Sequence, residues 1–239
     1  MTVKIIILFL NTRFIIVNRP EVITTSDGSM TLYYIELDEH YHSVNGAITE
    51  SRHVFIKNGL GLSGAKPSFN LLEIGFGTGL NALLTAEYAI ENKINILYYT
   101  IEKYPLKPDV ISELNYGKLL GGNGEFLFDA IHSSEWGKMV EISPWFQIFK
   151  IEADLLEFIL KFNISVDLVY FDAFGPDKQP ELWGHSVFLK LFELLSAGGV
   201  IVTYSAKGEV RRRMASSGFA VERLPGPPGK REMLRGIKK

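Results

Sequence analysis

The sequence contains no cysteine among its 239 residues. Structural disulfides, thiolate metal sites and a cysteine nucleophile are therefore excluded together. It also lacks a membrane-length hydrophobic run. In MTVKIIILFLNTRFIIV the apolar core, Ile5 to Leu10, is six residues long before Asn11, Thr12 and Arg13 interrupt it. A spanning helix needs about 20 apolar residues, and no small-residue cleavage site follows. This stretch reads as a β-strand or an irregular lead-in, and the expected setting is cytoplasmic, with no membrane partner. The five histidines, His40, His42, His53, His132 and His185, have no metal-ligand spacing, so no metal site is expected. Internal repeats and low-complexity tracts are absent as well. What is present is an ordinary globular balance, 46% hydrophobic and 22% charged, long enough for one domain with an appendage.

The net charge is only −2, but it is unevenly spread. From Lys207 to Lys239 ten basic residues face three glutamates, a net of +7, against −9 over the first 206 residues. A basic end on an acidic body is a candidate footprint for a polyanion. A solvated helix face with a basic tail would look the same.

Residues 22–60 alternate short apolar runs with turn signals: TSDGSM is a turn, TLYYIEL is strand-like, and SRHVFIKNGL admits a helix. Residues 1–62 are expected to form a small β-rich N-terminal extension. From Phe69 onward strands alternate with helices: FNLLEIG, LNALLTAEYAIEN, INILYYTIE, a helix broken near Pro108, FQIFKIE, ADLLEFILKF, VDLVYFDAF, a long helix over PELWGHSVFLKLFELL, GGVIVTYS, KGEVRRRMASSG, FAVERL and KREMLRGIK. Residues near 117–145 read as an irregular, lid-like insertion or a helix pair. Near-continuous apolar strands between helices predict an α/β fold over 63–239, a mostly parallel sheet covered on both faces. Such sheets bind ligands outside the carboxyl ends of their strands, where strand order reverses.

At one strand end stands NLLEIGFGTGLNALL, with Gly75, Gly77 and Gly79 two apart. A strand leads in and a helix leads out, which suits a nucleotide-like ligand at free helix N–H groups. The dinucleotide fingerprint would need a third glycine at position 80, which is Leu80. The spacing G-x-G-x-G after Glu73 instead resembles the first motif of class I S-adenosylmethionine-dependent methyltransferases. The next strand ends in Glu102, placed to accept hydrogen bonds from ribose hydroxyls. After the third strand, Asp154 either meets an adenine amino group or caps a helix, and both roles are compatible. At the end of the fourth strand, VDLVYFDAFGPDKQPELW places Asp172 beside an aromatic, Phe174, and a stiffening Pro176. Methyl transfer to an alkylamine with a pKa near 10.4 requires loss of a proton, and a carboxylate here can orient the amine and receive it.

GFGTGLN, IEKYPL, VDLVYFDAFGPDKQPELW, VIVTYSAKGEVRRRM and GPPGKREML, with ESRHVF upstream, occur in this order. Together they resemble the methyltransferase half of the bacterial enzyme family that completes 5-methylaminomethyl-2-thiouridine at the tRNA wobble position. The resemblance runs from about Ile23 to Lys239. It implies a Rossmann-like class I fold and N-methylation of a 5-aminomethyl group on a wobble uridine in the anticodon loop, with S-adenosyl-L-methionine as donor. A stand-alone form is expected, with a separate enzyme supplying the aminomethyl-uridine. Carried over residue by residue, Glu73, Gly75, Gly77, Gly79 and Asn81 form the cofactor loop. Glu102 holds the ribose with Lys103 and Tyr104 nearby, and Asp154 approaches the adenine. Asp172, Phe174 and Pro176 meet the amine, with Asp172 also at the cofactor's sulfonium end; Ser205 lines the pocket or caps the next helix. The family spelling DGFAP stands here as DAFGP, with its small residues exchanged. Against an RNA substrate the basic end gains meaning, with Arg211, Arg212, Arg213, Lys230 and Arg231 as phosphate contacts. Two other classes remain open: a methyl- or aminopropyl-transferase acting on a small polyamine-like amine, which the basic C-terminus would repel, and a non-catalytic RNA-binding subunit.

Overall fold

The structure, a computed structural model, describes residues 19–62, 66–159 and 162–239, together with a two-strand ladder, β1 (Ile7–Leu8) and β2 (Ile15–Ile16). The rest of the N-terminal lead-in lies outside the described residues.

A small antiparallel sheet follows, β3 (Glu21–Thr24), β4 (Met30–Tyr34) and β5 (Glu39–His40). The TSDGSM turn closes its first hairpin: Thr25 N–H donates to Ser29 O at 2.8 Å, and Asp27 accepts the Thr49 N–H at 2.9 Å. The second bond ties this turn to α1 (Ala47–Ser51), which runs on as a π-helical stretch, Arg52–Lys57. The described part of the extension therefore ends in helix, and that helical part packs on the α/β core.

The main sheet has eight strands: β6 (Ser68–Ile74), β7 (Asn95–Glu102), β8 (Met139–Ser143), β9 (Phe146–Glu152), β10 (Val166–Phe171), β11 (Leu195–Thr203), β12 (Ala220–Pro225) and β13 (Glu232–Ile237). Their order is β12-β13-β11-β10-β6-β7-β9-β8. β11, β10, β6, β7 and β9 run parallel, and β8 and β13 are antiparallel to their neighbours β9 and β11. Leu71 to Ile74 of β6 are all buried, as a strand covered on both faces must be. Two apolar clusters fill the two faces, one around Leu71, Tyr98, Ile148 and Leu83, the other around Leu72, Phe171, Phe188 and Ile201. From β6 the chain winds through β7 to β9 and then returns to lay β10 on the other side of β6. The switch point thus lies between the carboxyl ends of β6 and β10.

The helices are α2 (Leu80–Asn92), α3 (Pro108–Ile111), α4 (Tyr116–Leu120), α5 (Gly124–Ser133), α6 (Leu155–Phe158), α7 (His185–Leu194) and α8 (Gly208–Ser216). The region read as an irregular, lid-like insertion or a helix pair holds the packed pair α4 and α5, and also an edge strand, β8, whose pattern of half-exposed residues hides its period. One expectation is corrected. The long helix over 180–195 is a 3₁₀ turn, Pro180–Trp183, separated from α7 by Gly184 in extended conformation. Among the described residues no helix is long and apolar enough to cross a membrane.

Candidate active site

The glycine loop leaves β6 at Ile74 and is pinned on both sides. Gly75 N–H donates to Ile101 O on β7 at 3.0 Å, and Asp172 N–H, just past β10, donates to Ile74 O at 3.0 Å. Gly75 has φ +90°, and a Cβ there would stand 2.7 Å from Asp172 O, so this glycine lets the two strand ends close up. Gly77 has φ +49°, and a Cβ there would meet the Tyr41 ring at 2.9 Å. The loop is steadied from the far side by His132 Nε2, which donates to Thr78 O at 3.1 Å. Behind it Lys150, fully buried, donates to Ile131 O and His132 O at 2.8 and 2.9 Å, and burial lowers its pKa to about 8. A cavity of about 220 Å³ beside the loop is lined by Gly77, Leu106, Ile111 and Trp136 among others.

Glu102 ends β7 facing the loop. Its Oε2 accepts Gly77 N–H at 3.1 Å and its Oε1 accepts Tyr104 N–H at 2.8 Å. Burial raises its pKa, and the three backbone donors at Gly77, Lys103 and Tyr104 work against that rise. Lys103 reaches past it to Asp154 at 2.6 Å, while Asp154 caps α6 by accepting Leu156 N–H at 2.8 Å. Burial opposes ionisation of Asp154, but these two bonds outweigh it and hold the group below the usual range. Of the two roles read for this residue, the structure shows the cap. Glu73 is placed differently: it is fully buried beneath the loop, accepting Thr100 Oγ1–H at 2.7 Å, and burial raises it to about 8.

Asp172 stands deep at the switch point with one partly open face. Asn81 Nδ2 donates to its Oδ2 at 2.7 Å, and Ser51 Oγ–H donates to Asn81 Oδ1. Burial raises Asp172 to about 7; the Asn81 bond and the charge of Lys230 oppose the rise, and the charge of Glu50 adds to it. The following loop is held by Trp183, fully buried, whose Nε1 donates to Phe174 O at 2.8 Å. Gln179 Oε1 accepts Phe174 N–H, and Tyr204 OH donates to Ala173 O at 2.9 Å. Pro176 is buried in the same loop. The Phe174 ring meets Tyr41 edge-on at 5.0 Å, and Tyr41 is 5.9 Å from Tyr34. Both tyrosines come from the small sheet and lie near the Glu102 charge. Ser205 is buried, and Lys207 rather than Ser205 precedes α8 as its cap.

The candidate phosphate contacts separate. Arg211 and Arg212 are exposed on α8, and Arg231 is exposed on the β12–β13 turn. Arg213 donates to Trp183 O at 3.0 Å, and Lys230 turns inward to Glu50 at 2.6 Å. Glu50, Ser51, Tyr204 and Tyr41 join the site with no role assigned from sequence. ESRHVF, VIVTYSAKGEVRRRM and GPPGKREML mark three of the segments involved, but only the fold says which of their residues turn inward.

A family model described as S-adenosyl-L-methionine-dependent methyltransferase matches residues 147–239. The tRNA 5-methylaminomethyl-2-thiouridine biosynthesis bifunctional protein MnmC of Leptospira interrogans is 32% identical in an alignment of 224 positions that covers 89% of this chain and 34% of that protein. Its counterpart from Pseudoalteromonas atlantica is 31% identical in an alignment of 220 positions that covers 84% of this chain and 31% of that one. The chain thus spans about a third of the length of these curated relatives. The crystal structure of MnmC2 from Aquifex aeolicus superposes with a TM-score of 0.74 at 27% identity, covering 91% of this chain and 70% of that one.

The sheet and glycine loop have the Rossmann-like class I arrangement, and residues 147–239 match an S-adenosyl-L-methionine-dependent methyltransferase family model. The particular relationship is to the methyltransferase half of the MnmC proteins, which the chain resembles over most of its length. The residues present fit the cofactor. Glu102 already gathers backbone N–H groups at the end of β7, and Gly75 and Gly77 stay partly exposed beside it.

Proposed function

We propose that this methyltransferase acts on a primary amine, the 5-aminomethyl group of a wobble uridine in the tRNA anticodon loop. The relatives' name supplies the substrate class, and one observation carries the chemistry: Asp172, raised to about 7 by burial and oriented by Asn81, at the switch point beside the glycine loop. In this reading Glu102 holds the ribose of the cofactor, Asp154 with Lys103 flanks the adenine, and Glu73 supports the loop from below. When bound between Glu102 and the glycine loop, S-adenosyl-L-methionine would supply an electrophilic methyl group for the amine nitrogen, with its sulfur as the leaving group. Asp172 accepts the proton that the arriving ammonium must shed. A carboxylate near 7 is ionised often enough at neutral pH to do so, and basic enough to be effective. Phe174 and Tyr41 exclude water from the approach, and the Trp183 and Tyr204 bonds fix the loop that positions Asp172 and Phe174.

RNA enters through the basic end, with Arg211, Arg212 and Arg231 as exposed phosphate contacts. The uridine leaves its stack to reach Asp172, which a loop nucleotide does at low cost. The cytoplasm is the compartment this substrate requires. The test is transfer from methyl-labelled cofactor to tRNA carrying 5-aminomethyl-2-thiouridine, followed by digestion and mass spectrometry. Label on the 5-aminomethyl nitrogen is expected. Label absent from tRNA but present on a small amine such as putrescine would replace this reading with the polyamine one.

A further inference from the structure

Above Asp172 three segments far apart in sequence bring a cation, a carboxylate and an aromatic face together. Glu50, at the end of α1, is nearly fully buried, and its Oε2 accepts Ser43 N–H at 2.8 Å. The ammonium of Lys230, from the β12–β13 turn, lies 2.6 Å from Glu50 Oε1 and 4.0 Å from the centre of the Tyr204 ring. Yet Glu50 Oε1 makes no well-directed hydrogen bond: the pairing is one of charge rather than of geometry. Asp172 Oδ1 likewise has no hydrogen-bond partner among the described residues, its Oδ2 being the oxygen that Asn81 holds. The remaining charged and titratable neighbours include His42, buried and lowered to about 4 by burial, with Asp27 behind it, Glu39 whose charge acts on Tyr204, and Glu73 below. A carboxylate with a free lone pair, a tyrosine face and a second carboxylate with a free oxygen are what a primary ammonium requires. Here a lysine side chain, itself a primary alkylammonium, fills that place.

We propose that Glu50 and Tyr204 form the receiving subsite for the substrate ammonium, and that Lys230 occupies it until the substrate arrives. This rests on the amine reading above. Glu50 and Tyr204 hold the incoming ammonium next to Asp172, and Lys230 swings out with its turn. Its side chain is about one-third exposed whereas Glu50 is buried, so the lysine is the member free to leave. Lys230 is thereby a competitor of the substrate's own chemistry, and it keeps Glu50 from standing charged and unpaired in the empty site. The exit places its charge near the mouth, among the exposed arginines of the same end. Glu50 is then a specificity-determining residue: it distinguishes an aminomethyl-uridine from an unmodified uridine before any transfer takes place.

Two variants move in opposite directions. Glu50→Gln keeps the shape and loses the charge, and it should weaken tRNA carrying the 5-aminomethyl group about tenfold in equilibrium binding. Affinity for the same tRNA with unmodified uridine should stay unchanged. Lys230→Met removes the competitor, and the KM for aminomethyl tRNA should fall or hold while unmodified tRNA binds no better. Wild-type protein that binds both tRNAs equally, or a Lys230→Met variant that loses aminomethyl binding as Glu50→Gln does, would overturn the subsite. The second outcome assigns Lys230 to an ordinary structural ion pair or a phosphate contact. Tyr204→Phe keeps the ring and drops the bond to Ala173, so discrimination retained in it supports the face-on role and discrimination abolished there counts against it. These readouts are equilibrium affinities. A wild-type protein that discriminates the two tRNAs yet transfers no methyl to the amine leaves the subsite standing and defeats the reaction.

Discussion

Around Glu102 the cleft is made by two neighbouring strands and the turns that follow them. Glu102 reaches Gly77 only 25 residues away, the one ending β7 and the other in the loop that follows its parallel neighbour β6. Around Asp172 the contacts are of another order. Asn81 and Asp172 are 91 residues apart, and Glu50 and Lys230 come from opposite ends of the chain, the extension and the last hairpin. The Glu102 end is thus a local motif that the sheet carries with it. The Asp172 end is complete only when extension, sheet and C-terminal hairpin have all docked. Under the proposed function the first end would hold the cofactor and the second would select the nucleophile.

The largest expected effect separates the two ends chemically. Asp172→Asn should lower turnover by about 10²–10⁴-fold, the usual range for a general base, while calorimetry finds cofactor affinity unchanged within about twofold. Equal losses of both would mean that the two ends are one unit. Next, Glu102→Gln should weaken cofactor binding about 10–100-fold, since a hydrogen bond to a charged group contributes roughly 1.5–3 kcal/mol. Turnover at saturating cofactor should persist, and its collapse would break the division from the other side.

A smaller effect concerns the floor that both ends share. Glu73 has a folded pKa of about 8, above the roughly 4.3 of an unfolded carboxyl. The folded state therefore keeps a proton that the unfolded chain releases. Its contribution to stability is complete below the unfolded value and declines as pH rises, by at most about 1.4 kcal/mol per unit, levelling above 8. Denaturant unfolding across this window should show that decline, and Glu73→Gln should flatten it. An unaltered slope in the variant would show that Glu73 is ionised in the fold. The smallest effect is at the periphery. Arg211→Ala with Arg212→Ala should weaken tRNA a few-fold and reduce the salt slope by about 0.7–0.9 for each phosphate no longer neutralised, with cofactor binding intact. Arg213 is left in place because it supports Trp183.

The same contrast explains what is legible in the sequence. G-x-G-x-G after an apolar strand, and an acid ending the next strand, are features within one βαβ unit, and local periodicity locates them. Helix α2 is found residue for residue because its boundaries are marked by Gly79 and by Lys93 in left-handed conformation. Asp172 is legible as a carboxylate at a strand end. Its partners Glu50, Ser51 and Tyr204 are not, because nothing local distinguishes a glutamate ending a short helix from a surface one. Lys230 reads as part of a basic patch for the same reason: charge counting does not see that the side chain points inward to Glu50. The edge strand β8 and the break at Gly184 escape because an edge strand has no buried period and an extended glycine interrupts no apolar pattern.

The proposed substrate end turns on one property, an Asp172 carboxylate raised toward neutrality by burial, which in this proposal takes the proton from the amine. It is read most plainly from the single-turnover rate of methyl transfer to aminomethyl tRNA, at saturating cofactor, across roughly two pH units centred near neutrality. The wild-type rate should rise with an inflection near 7, and that inflection should be absent from the residual activity of Asp172→Asn. A wild-type profile with no inflection there, or one that Asp172→Asn leaves in place, would show that Asp172 is not the base.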